Sequence, residues 1–212
     1  MKKVLCSILP VLMIALLVAM VSGAAFAQGA PGTGEDTAEF FTTNYFSNNT
    51  ASGAPDATLR YTEHYGALLV NGKLCANIYV FAADQQITEC CACPITANGL
   101  VTTSVHKQVT ANPLTGVVPN NGVVQIISSL PLPNGTCDPT IFGPLAATGP
   151  FPEVDSWMTH IQNKVGTAYP ITEGEGVEEL LTNGEIGDLV IDCSFVQEFG
   201  SGQGVCSCGL EK

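Results

Sequence analysis

The chain has 212 residues, with 19 acidic side chains against seven basic ones and a formal net charge of −12. Phosphate binding requires clustered Lys and Arg, so the composition argues against nucleic acid as a partner and disfavours anionic membrane surfaces for the same reason. A chain of this length buries a real core without covalent help, so its nine cysteines call for a separate explanation.

Met1 to Lys3 is basic, Val4 to Val21 is apolar, and Ala25-Phe26-Ala27 precedes Gln28. That order predicts a secretory signal peptide over 1–27, cut between Ala27 and Gln28. The apolar run is short for a spanning helix, which needs about 20 apolar residues. The rival reading is an uncleaved N-terminal anchor. Cys6 precedes the apolar run, which argues against lipid attachment. Cleavage removes Cys6, Lys2 and Lys3. Five basic residues then face 19 acidic ones, a formal charge of −14, and eight cysteines remain. An even count in an exported chain points to disulfides among Cys75, Cys90, Cys91, Cys93, Cys137, Cys193, Cys206 and Cys208.

Residues 28–56 read as a flexible N-terminal arm, and 57–212 as one cysteine-rich domain. Within the arm, Glu39 to Phe46 is rich in aromatic and β-branched residues and is a candidate strand. It is either the first strand of its own domain or a candidate assembly arm. In the second case Phe40, Phe41, Tyr45 and Phe46 would be donated to a neighbouring subunit. Asn71-Gly72 between Leu68–Val70 and Leu74–Phe81 is a hairpin signal. Short strands are predicted at Gln86–Cys91, Leu100–Val105, Val117–Val118 and Val123–Ser129, with turns at Cys93-Pro94 and Asn98-Gly99. Leu130 to Pro152 reads as a long loop pinned by Cys137.

The period then changes. Pro152 suits the first turn of a helix, with Glu153 and Asp155 near its positive end. Trp157, Ile161 and Val165 follow at fourfold spacing. Ile186, Leu189, Val190, Cys193, Val196 and Phe199 fall at helical spacing, and Gly200 is a plausible stop. The Gly/Ser tail that carries Cys206 and Cys208 needs covalent ties to be ordered. The predicted fold is mainly β: a disulfide-stapled sandwich with one or two short C-terminal helices.

Cys90-Cys91-Ala92-Cys93 contains a C-x-x-C spacing, but Pro94 and the lack of a βαβ pattern argue against a redox site. Adjacent cysteines on a strand point to opposite faces, so Cys90 and Cys91 should take different partners. Cys91-Ala92-Cys93 and Cys206-Ser207-Cys208 suit soft copper only where thiols stay reduced. The three histidines, His64, His106 and His160, share no short spacing. A triad assembled in space stays open, with no G-x-S-x-G elbow to support it. Glu173, Glu175, Glu178 and Glu179 read as a solvated acidic face in the absence of a calcium-loop pattern. Asn48-Asn49-Thr50 and Asn134-Gly135-Thr136 are glycosylation sequons.

Leu74–Phe81, Glu89-Cys90-Cys91-Ala92-Cys93-Pro94, Leu114-Thr115-Gly116 and Gly200–Cys206 resemble a set of uncharacterised secreted, cysteine-rich bacterial proteins. The resemblance implies a shared fold and shared cysteines, and carries over no catalytic residue. The expected function is non-catalytic. The chain reads as a secreted, periplasmic or cell-surface structural or binding protein, in the manner of an assembly or adhesion subunit. No cofactor is expected, and the sequence leaves the partner unknown, with self-association and an extracellular ligand as the candidates. An extracellular hydrolase and a metal-binding module are the alternatives.

Overall fold

The first strand, β1 (Glu39–Ser47), lies between two strands that follow it much later in the chain. The structure, a computed structural model, describes residues 39–63, 73–96, 98–141 and 154–209. The predicted signal segment with Ala27 and Gln28, His64 and the predicted turn at Asn71-Gly72 lie outside them, as does the side chain of Phe40. The described residues belong to one compact unit, Thr37–Lys212.

Among the described residues, eight further strands follow: β2 (Thr58–Glu63), β3 (Lys73–Ala82), β4 (Ile87–Thr96), β5 (Leu100–Ser104), β6 (Asn121–Ser129), β7 (Val154–Ile161), β8 (Ile171–Glu175) and β9 (Val177–Leu181). They form two antiparallel sheets, ordered β4-β3-β6-β1-β9 and β5-β2-β7-β8. One α-helix, α1 (Asn183–Phe199), and a π-helical turn at Val105–Val109 complete the set among the described residues.

The burial patterns explain the layering. β2 alternates, with Leu59, Tyr61 and Glu63 buried and their neighbours half-buried, as a strand with one covered face should. β3 is buried from Leu74 to Val80, because both its faces are covered. Its inward side chains, including Ile78 and Val80, meet Phe46, Leu59, Tyr61, Ile126 and Met158 between the sheets. Its outward Tyr79 joins Phe41, Ile127 and Leu181 under Ile186, Leu189 and Cys193 of α1. The molecule is therefore a β-sandwich with a helix on the outer face of the larger sheet.

Thr182 caps α1. Its hydroxyl accepts from the Glu185 N–H, and the Glu185 carboxylate accepts from the Thr182 N–H at 2.8 Å. This capping box satisfies two of the backbone donors left free at a helix start. The apolar positions expected on the buried face are confirmed for Ile186, Leu189, Cys193 and Val196, whereas Phe199 is exposed.

All eight described cysteines pair: Cys75–Cys137, Cys90–Cys193, Cys91–Cys206 and Cys93–Cys208. Cys90 and Cys91 leave β4 on opposite faces, as alternation requires. The two C-x-C pairs lie side by side, so the tail runs parallel to β4. The Cys90 N–H donates to Gly204 O at 2.9 Å. β4 is the edge of the larger sheet, and the tail covers that edge.

Four expectations are corrected. The helix predicted from Pro152 through Trp157, Ile161 and Val165 is instead strand β7, buried at Val154, Ser156, Met158 and Ile161. Pairing with β2 on one side and β8 on the other satisfies its backbone, and Val165 is exposed. The arm–domain boundary expected at 57 falls before β1, which pairs with β6 and β9 of its own chain. Cys93-Pro94 is no turn: β4 runs through it, because an edge strand tolerates a residue with no N–H. Val117-Val118 forms no strand.

Between β8 and β9 the chain changes sheets at Gly176. The Gly176 N–H donates to Ser156 O at 2.8 Å. A Cβ there would lie 2.5 Å from Ser156 Oγ and 2.9 Å from Asn44 Nδ2. The close approach brings β1 against β7, where the Asn44 amide donates to Ser156 Oγ and Ser156 Oγ to Thr42 Oγ1, both at 2.7 Å.

Candidate functional site

Three amide–amide dipeptides sit at strand ends. Asn48-Asn49 follows β1, Asn120-Asn121 leads into β6, and Gln162-Asn163 follows β7. β1 and β6 are antiparallel neighbours in one sheet and β7 belongs to the other, so all three pairs meet on one rim of the sandwich. They line a groove of about 480 Å³ with Ser47, Thr50, Ala51 and Ile161. Among the described residues, no charged side chain lines it, although the chain carries −12 overall.

The 47–51 segment is stitched to both neighbours. The Asn48 N–H donates to Asn120 O at 2.7 Å, and Thr50 Oγ1 donates to Asn120 Oδ1 at 2.7 Å. On the other side, Ser47 Oγ donates to Ile161 O at 3.3 Å and Asn49 Nδ2 to Gln162 O at 3.2 Å. The Asn49 Oδ1 accepts from the Ala51 N–H, closing a turn. Among the described residues, the side chains of Asn121, Gln162 and Asn163 and the Asn120 NH₂ make no hydrogen bond within the protein. These groups offer both donors and acceptors to a ligand. Asn48 forms the buried floor, with its Oδ1 unpartnered. A second hollow of about 170 Å³ lies across the same segment, lined by Asp56, His106 and Lys107 among others.

An apolar hollow of about 430 Å³ adjoins the groove, sharing Asn121. Tyr45, Phe81, Ala82 and Val123 line it on the outer face of the larger sheet, where α1 does not reach. Tyr45 is 53% exposed. His160 Nε2 lies 2.6 Å from Tyr45 O, and a carbonyl only accepts, so Nε2 carries the proton. Nδ1 then accepts from Thr172 Oγ1 at 3.4 Å. The two rings stand 5.3 Å apart, tilted by 56°.

The predicted site residues separate. The Cys91, Cys93 and Cys208 sulfurs lie within 4.8 Å of one another, as ligands of one ion would, but each is consumed in a disulfide. A disulfide sulfur is no thiolate ligand. His106 is exposed beside the Asn48 amide, and His160 serves Tyr45. Phe41 packs under α1 and Phe46 between the sheets, while Tyr45 is exposed. Glu173 pairs with Arg60 at 2.5 Å, and Glu175, Glu178 and Glu179 are exposed. The Asn48 sequon is buried at 1% exposure, which closes it to a glycan in the folded chain, whereas Asn134 is exposed in a turn.

Glu89 is buried, and burial pushes its carboxyl up to about 8, partly offset by the Asn112 N–H that donates to Oε1 at 3.1 Å. Burial also raises the Tyr61 and Tyr79 hydroxyls, the latter donating to Pro139 O at 2.9 Å. Sequence reasoning missed the groove because Asn48-Asn49 and Asn120-Asn121 read singly as loop residues and Gln162-Asn163 fell inside the predicted helix. The available signal was three such dipeptides, each flanking a predicted or actual strand end.

The fold and site define a disulfide-stapled β-sandwich, helix-backed, with an uncharged polar groove on one rim. No protein-family model, curated protein or solved structure matches the chain. The reading therefore rests on the chain's own residues. Among the described residues, no helix is long and apolar enough to cross a membrane.

Proposed function

We propose that the chain is an exported binding protein without catalytic activity, and that it takes a neutral polar ligand in the amide-lined groove. The observation that carries this is the uncharged lining in an acidic chain. A cationic ligand would find no carboxylate there, and an anionic one would meet the net negative field. Uncommitted amides at fixed strand ends offer hydrogen bonds without first breaking internal ones, so little is lost on binding. Four disulfides suit the oxidising compartment that the N-terminal signal implies. A donated-strand assembly role would need β1 to leave its place between β6 and β9.

The test is amide NMR of the 28–212 chain titrated with neutral oligosaccharides and neutral peptides in parallel with charged ones. Side-chain amide signals of Asn120, Asn121, Gln162 and Asn163 should move with a neutral compound. Movement only elsewhere, or only with charged compounds, overturns the reading.

A further inference from the structure

We propose that the ligand is a neutral oligosaccharide that straddles Asn121, one sugar ring lying against Tyr45 and the next reaching into the amide groove. This rests on the groove being the binding site. A sugar ring has an apolar C–H face and a rim of hydroxyls that both donate and accept. It therefore needs an aromatic surface and amides at once, and the molecule places the two side by side.

The juxtaposition follows from strand register. Ser47 pairs with Asn121 and Tyr45 with Val123, so Tyr45, Ser47, Asn121 and Val123 share the outer face. Two residues along a strand span about 7 Å, which sets Tyr45 about one sugar repeat from the Asn121 amide. The apolar hollow and the polar groove meet at that residue. Tyr45 is held ready as a platform: His160 ties its backbone carbonyl at 2.6 Å and packs against its ring. An aromatic ring gives contact area at small entropic cost. Hydroxyls of the second sugar reach Asn120 Nδ2, Asn121, Gln162 and Asn163, whose donors and acceptors match adjacent hydroxyls in pairs.

A peptide fits this surface less well. Peptide addition to a sheet uses a free strand edge, but the groove lies at strand ends, β6 is paired on both sides, and where β1 runs past β9 beyond Thr43 its Tyr45 carbonyl is already taken by His160. The groove also lacks a charge to select side chains.

Calorimetric titration of the 28–212 chain with cellohexaose, maltohexaose, chitohexaose and mannohexaose tests the proposal. At least one should bind. Tyr45→Ala and Asn163→Ala should each weaken that binding by roughly tenfold or more, Tyr45→Phe should weaken it less than Tyr45→Ala, and Ile191→Ala, on the exposed face of the helix, should leave it unchanged. Retained amide NMR dispersion shows that each variant is folded. Binding that Tyr45→Ala leaves intact overturns the straddling site. If none of the four hexasaccharides binds while a neutral peptide still moves the groove amides, the saccharide assignment falls and the groove reading stands. If nothing moves those amides, both fall.

Discussion

Cys90 and Cys91 are consecutive residues that tie β4 to two different parts of the chain: Cys90 to Cys193 in the helix on one face, Cys91 to Cys206 in the tail on the other. The strand thereby becomes the hub of three of the four disulfides, since Cys93 joins Cys208. Neither α1 nor the tail belongs to the sandwich core between the sheets except through Cys206 and Cys208.

Removing the helix tie should loosen the helix before the sandwich. Cys90→Ala with Cys193→Ala should cost about 2–5 kcal/mol. Hydrogen exchange should quicken first over Asn183–Phe199, with β3 and β6 still protected. Equal loss of protection in β3, β6 and α1 would contradict this division.

Gly176 has no room for a methyl group, with Ser156 Oγ 2.5 Å from where a Cβ would stand. Gly176→Ala should destabilise by about 1–3 kcal/mol through overpacking. Chemical denaturation would measure it, and combining it with Ser156→Ala should recover part of the loss.

The Glu89 carboxyl lies at about 8 in the fold, raised from 4.5 by burial. The folded state then holds a proton that the unfolded chain has released. Stability should fall as pH rises between those values, with a slope approaching 1.4 kcal/mol per unit, roughly one proton. Glu89→Gln should flatten that part of the stability–pH curve. An unchanged slope would show that other groups set it.

Thr182→Ala removes the capping hydroxyl of α1 and should cost about 1 kcal/mol. The cap holds the Glu185 carboxyl below its ordinary range through hydrogen bonds from Thr182. The stabilisation belongs to the ionised form. It is present above the ordinary glutamate range and lost as pH falls through the lowered value, so the variant's deficit should shrink in acid. Thermal melts of both chains across that range would show it.

Protein recovered from outside its host should begin at Gln28. Its mass should be lower than that of the reduced chain by two hydrogens for each of four disulfides. Free thiols would instead reopen metal binding at Cys91, Cys93 and Cys208.

Features that depend on neighbours along the chain were legible in the sequence. Period two predicted the β-rich centre and the opposite faces of Cys90 and Cys91. Period 3.6 marked the buried face of α1 at Ile186, Leu189, Cys193 and Val196. Composition argued against partners that need basic clusters. Tertiary structure decided whatever depends on a distant partner. Trp157, Ile161 and Val165 suited a helix locally, yet β2 and β8 supplied hydrogen bonds on both sides and made 154–161 a strand. Among the 105 possible pairings of the eight cysteines, the register of the tail on β4 set Cys91–Cys206 and Cys93–Cys208, and the seat of α1 on β4 set Cys90–Cys193. The groove has the same origin: Asn48-Asn49, Asn120-Asn121 and Gln162-Asn163 are ordinary loop residues until strand order brings them to one rim. Local spacing records how a segment could fold, whereas pairing between distant segments determines which of those forms has its backbone satisfied and its apolar face covered.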